Sequence, residues 1–87
     1  MKIVAKPIQM FAWFEEDGSP HPIRFRLLNE DECWFTVKID KVIIVEKEKL
    51  AGNPMHIFRC QSLINNMLRT YEIKYELNTC KWMLFKM

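Results

Sequence analysis

Eighty-seven residues are enough for one domain, and a content of 49% hydrophobic and 13% aromatic residues excludes a disordered chain. Thirteen basic against eleven acidic side chains leave a formal net charge of +2, which neither demands nor excludes nucleic acid. No apolar run approaches the ~20 residues of a membrane helix, and two glycines cannot build a phosphate-cradling loop.

Lys2 to Phe14 reads as a first strand, apolar on both faces from Met10 to Phe14, with Pro7 placing its early part at an edge or a bend. Glu15 to Pro20 is an acidic turn whose Asp17-Gly18 pair signals a hairpin. It lacks the alternate spacing of a calcium loop. Pro22 to Leu28 is the second strand. Ile23, Phe25 and Leu27 share one face and Arg24 and Arg26 the other, because side chains alternate along a strand. Asn29 to Glu32 is the next turn.

Cys33 to Val45 reads as one long strand, interrupted by the charged pair Asp40-Lys41. A bulge or bend there lets one strand curl into a barrel or serve two sheets. Val42 to Val45 is apolar throughout, which predicts a sheet covered on both faces. Glu46 to Ala51 suits one helical turn ended by Gly52, and Asn53-Pro54 restarts an extended chain.

The last third, Met55 to Met87, reads as three antiparallel strands joined by two tight turns. Asn tolerates the positive φ of a two-residue loop, so Asn65-Asn66 sets a register. Ile64 then faces Met67, Cys60 faces Tyr71, Arg59 faces Glu72, Phe58 faces Ile73 and His56 faces Tyr75. Counting from Asn78-Thr79 pairs Glu76 with Lys81, Tyr75 with Trp82 and Ile73 with Leu84. Both turns assign one inner face to Phe58, Tyr71, Ile73, Tyr75, Leu77, Trp82 and Leu84. A one-residue slip would scramble both faces. Leu63, Ile64, Met67, Leu68 and Tyr71 also fit a helical stripe with Ser62 as N-cap. Two consecutive Asn residues inside that stripe favour the hairpin over residues 62–69.

The sum is a single all-β domain, residues 1–87, of about six antiparallel strands in a meander. Strands at such short spacing predict a small, partly open SH3-like barrel or a two-layer sandwich.

Five side chains are candidate zinc ligands: Cys33, Cys60, Cys80, His21 and His56. They lack the close pairs that zinc sites use, so no metal or other cofactor is expected. The cysteines, odd in number and widely spaced, read as reduced thiols. With no leader pattern at the N-terminus, they predict a cytoplasmic protein that does not enter the membrane. No Cys–His–carboxylate signature activates a nucleophile, so no catalytic residue is assigned and an enzyme is not expected. Two binding surfaces remain. Arg24 and Arg26, with Trp13 and Trp34 available for stacking, suit a single-stranded nucleic acid. Met55, Ile57, Met83 and Phe85, with Met87, point away from the aromatic inner face. They are either covered by the N-terminal strands or form a surface for a protein partner or a homodimer.

Arg24-Phe25-Arg26, the strand ending in Lys38-Ile39-Asp40-Lys41-Val42, then Tyr71-Glu72-Ile73-Lys74-Tyr75 and Trp82-Met83-Leu84 form a wider pattern. Over Pro22 to Met87 it resembles small bacterial β domains of clostridial type. It is also similar to short domains that accompany translesion (Y-family) DNA polymerase cassettes. The resemblance implies an accessory role near DNA repair and supplies no catalytic residue. The resulting expectation is a non-enzymatic module that binds a macromolecule, a protein first and single-stranded nucleic acid as the alternative.

Overall fold

A computed structural model describes residues 1–87, which form seven antiparallel strands in one curled, half-barrel sheet. The strands are β1 (Ile3–Phe14), β2 (Pro20–Leu28), β3 (Trp34–Lys38), β4 (Lys41–Leu50), β5 (Asn53–Ile64), β6 (Met67–Glu76) and β7 (Lys81–Lys86). Their order across the sheet is β3-β2-β1-β7-β6-β5-β4. The all-β, partly open barrel expected from the sequence is present, with seven strands rather than six and no second sheet. No helix is long and apolar enough to cross a membrane.

The curl follows from one short connection. β3 and β4 lie at opposite ends of the sheet, yet only Ile39 and Asp40 separate them in sequence. The three Cα steps from Lys38 to Lys41 span at most about 11 Å, so the sheet must bend until its ends approach. The closure is hydrogen-bonded. The Ile39 amide donates to the Ile23 carbonyl at 2.9 Å and the Asp40 amide to the Gln61 carbonyl at 3.1 Å. The Asp40 carboxylate accepts from the Leu63 amide at 2.8 Å. The Ser62 hydroxyl donates to the Lys38 carbonyl at 2.7 Å, and the Tyr71 hydroxyl donates to Ser62 Oγ at 2.5 Å. A bend at Asp40-Lys41 thus replaces the single long strand from Cys33 to Val45.

The register of β5, β6 and β7 matches the expectation pair by pair. Cys60 faces Tyr71, Arg59 faces Glu72 and Phe58 faces Ile73, while Tyr75 faces Trp82 and Ile73 faces Leu84. Asn65 and Asn66 take φ of +50° and +63°, the left-handed conformation a two-residue turn requires. The hairpin therefore holds over residues 62–69. The second turn is looser, running from Leu77 to Cys80 with the positive φ at Cys80. Leu77 lies beyond the end of β6 and is exposed, not part of the inner face.

Phe25, Val37, Phe58, Cys60, Tyr71, Ile73, Tyr75 and Leu84 make the core, flanked by half-buried Val4, Ile8, Met10, Leu27, Ile39, Ile64, Trp82 and Met87. Met87, expected on the outer face with Met83 and Phe85, packs against the core instead, since it lies beyond the end of β7 where strand alternation no longer holds. Two expectations fail along β4. Residues 46–51 form no helical turn: β4 runs to Leu50, and Ala51-Gly52, with φ of +52° and +77°, is the turn into β5. Val42, Ile43, Ile44 and Val45 are not covered. They are all exposed, because β4 is the last strand of the sheet.

Candidate nucleic-acid interface

Alternation along β2 sends Phe25 into the core and Arg24 and Arg26 to the outer face. Cross-strand register then assembles the surroundings. Arg26 lies between Gln9 of β1 and Thr36 of β3, and Arg24 between Phe11 and Lys38. Leu28 stands opposite Trp34 one step further on. The outer face of β1, β2 and β3 is therefore a block of three cations with two aromatic rings.

Each arginine is laid on a ring. The Arg24 guanidinium sits 4.5 Å from the Phe11 ring centre, and the Arg26 guanidinium 4.3 Å from that of Trp34. Such contacts contribute about 0.5–1 kcal/mol at exposed sites. Arg26 Nε also donates to Gln9 Oε1 at 2.7 Å, which fixes its plane. Gln9, Met10, Phe11, Arg24, Phe25, Arg26 and Thr36 line a shallow depression of about 250 Å³ here. None of Arg24, Arg26 and Lys38 is ion-paired. Like charges on adjacent rows repel, so an anion placed on this face relieves a repulsion already present.

Of the four residues expected at a nucleic-acid surface, the structure brings Arg24, Arg26 and Trp34 together. Trp13, two residues beyond Phe11 on β1, is engaged elsewhere. Its ring stacks on His21 with centroids 4.1 Å apart and planes 10° apart. It lines a cleft of about 360 Å³ with His21, Val42, Val45, His56 and Phe58, where the curled sheet stays open. Phe11 and Lys38 are the additions. Counting outward from an Asn29–Glu32 turn would set Val37 opposite Arg24; the loop runs one residue further, so Leu28 faces Trp34 and Arg24 faces Lys38. Phe11 is missed because a bulge at Ile23 shifts the register between β1 and β2.

The other outer face is built differently. Met55, Ile57, Met83 and Phe85 are all half-buried. No second layer of strands lies over them, and charged side chains of the same face run among them. Arg59 pairs with Glu72 at 2.8 Å and Lys74 with Glu48 at 3.1 Å. The Lys74 ammonium lies 3.8 Å from the centre of the Phe85 ring. Pairs of this kind hold their aliphatic stems along apolar surface. The result is a charged face whose two central cations, Arg59 and Lys74, have carboxylate partners within the chain.

The thiols and imidazoles are dispersed. Cys33 lies in the β2–β3 loop and Cys80 in the β6–β7 turn, both exposed, and Cys60 is in the core. Burial pushes the Cys60 thiol up to about 12, so it stays protonated and unreactive at neutral pH. His21 and His56 both border the open cleft. His21 Nε2 lies 3.2 Å from Glu15 Oε2, an ion pair when the ring is protonated. Burial, aided by Lys47, lowers the pKa of His56. No three His, Cys, Asp or Glu side chains converge at metal-binding distance.

Comparison with protein-family models, with curated proteins and with solved structures finds no match to this chain. The functional reading therefore rests on the surface itself.

Proposed function

We propose that this protein is a non-catalytic binding module that holds single-stranded nucleic acid on the outer face of β1, β2 and β3. One observation carries the reading. Arg24, Arg26 and Lys38 share a face without a paired carboxylate, and Phe11 and Trp34 lie among them. Guanidinium and ammonium groups neutralise phosphates, and exposed rings offer stacking surfaces to unpaired bases. Phe11 is 59% and Trp34 51% exposed, so the rings retain free area beside the arginines that rest on them. A duplex hides its base faces, so stacking favours single strands.

The competing reading, a protein partner on Met55, Ile57, Met83 and Phe85, has less support. All four are half-buried, and Lys74, paired with Glu48, rests on the Phe85 ring, so a partner there must displace or desolvate that pair. Anisotropy of a labelled mixed-sequence single strand, titrated with protein at rising salt, tests the proposal. Three phosphate contacts give a slope of log K against log salt of roughly −2. Failure to bind even at low salt rejects it.

A further inference from the structure

β4 ends the sheet with an unguarded edge. Val42, Ile43, Ile44 and Val45 are 37%, 46%, 45% and 51% exposed, and no strand pairs with their outer side. Natural sheets protect such edges with charge, proline or cover. The strand across the opening has that protection, because Pro20 and Pro22 at the start of β2 carry no amide hydrogen. β4 has none at these four positions. No Cα of β4 comes within 8 Å of a Cα of β2 or β3. Neighbouring strands pair about 4.8 Å apart, so neither strand is within pairing distance of β4 and its outer backbone edge is unoccupied.

We infer that this added strand is β4 of a second copy, paired antiparallel about a two-fold axis between Ile43 and Ile44. The segment is its own complement. In that register Val42 lies opposite Val45 of the second copy and Lys41 opposite Glu46, with Asp40 opposite Lys47 just outside the strand. Both charged pairings join opposite signs. In a regular strand this register is forbidden, because Val42 and Val45 would point to opposite faces. The bulge at Ile43 removes the obstacle. Val42 pairs with core residue Cys60 and Val45 with core residue Phe58, so both lie on the inner face. Lys41 pairs with Gln61 and Glu46 with Ile57, both on the outer face. A bulge commonly twists an edge out of use. Here it makes the edge self-complementary. An unrelated extended peptide would match the hydrophobic residues but not this charge pattern.

Sedimentation equilibrium from micromolar to hundreds of micromolar protein tests the pairing. The wild type is expected to dimerise with rising concentration. Val45→Lys, at an exposed position outside the core, is expected to weaken the dimer at least roughly tenfold while far-ultraviolet circular dichroism stays unchanged. Lys41→Glu alone also weakens it, and Lys41→Glu with Glu46→Lys restores it. A protein that stays monomeric throughout overturns the inference. So does a dimer that survives Val45→Lys or ignores the charge swap.

Discussion

On the outer face of β4 to β7, Arg59 and Lys74 each meet a carboxylate within 3.1 Å, and apolar side chains lie half-buried between these pairs. On the outer face of β1 to β3, Arg24, Arg26 and Lys38 meet no acid, and two of them rest on aromatic rings. Both faces combine cations with rings; the Lys74–Phe85 contact shows that cation–π geometry alone does not separate them. The difference is the counter-charge. On the first face Arg59 and Lys74 are answered by Glu72 and Glu48, and these ion pairs tie β4, β5 and β6 together. The other leaves Arg24, Arg26 and Lys38 without a carboxylate partner. A net charge of +2 spread over 87 residues conceals this segregation, since the acids that nearly cancel the total sit on the first face and in the turns.

Arg24→Ala with Arg26→Ala should lower affinity for a single-stranded oligonucleotide by tenfold or more at low salt. Arg59→Ala with Lys74→Ala should change it less than about twofold. Equal losses in the two variants would mean that binding follows net charge and not the face. Next, Trp34→Ala should cost about 1–3 kcal/mol of binding through lost stacking, read by the same titration. Trp13→Ala, whose ring is stacked on His21, should bind nearly as the wild type does.

Stability reverses the order of the two faces. Arg59→Ala strips the partner from Glu72, whose side chain is only 11% exposed. It should destabilise the fold by about 1–3 kcal/mol in urea unfolding. Arg26→Ala, losing one exposed ring contact and one exposed hydrogen bond, should stay within about 1 kcal/mol. The smallest effect at neutral pH concerns the core beneath both faces. Folding raises the Cys60 thiol from its ordinary 9.0 to about 12. The folded protein therefore holds a proton that the unfolded chain releases above pH 9. Stability from this group is complete below pH 9 and is lost progressively as the pH rises toward 12. Cys60→Ala should flatten that alkaline decline in thermal melts.

The sequence carries the register of β5 to β7 because Asn65-Asn66 admits one turn geometry, and alternation propagates it to His56 and Tyr75. It carries the Arg24–Arg26 face for the same reason. β4 was harder to read. Val42 to Val45 reads as covered strand because aliphatic residues normally lie inside, and only the strand order reveals that nothing lies beyond them. Glu46 to Ala51 suits helix and strand alike, and Gly52 serves either as a helix cap or as the second residue of a two-residue turn. Phe11 escapes because the bulge at Ile23 breaks the count outward from the Asp17-Gly18 turn. Bulges and strand order depend on distant partners, which local patterning does not encode.

The central claim is that the unneutralised face of β1 to β3 is a nucleic-acid surface. Its most direct test is nuclear magnetic resonance mapping of backbone amides during a low-salt titration with a short single-stranded oligonucleotide. Binding on this face shifts only Gln9, Phe11, Arg24, Arg26, Trp34, Thr36 and Lys38 and their neighbours, and added salt reverses the shifts. Shifts centred on Met55, Ile57, Met83 and Phe85, or none at any position, would contradict it.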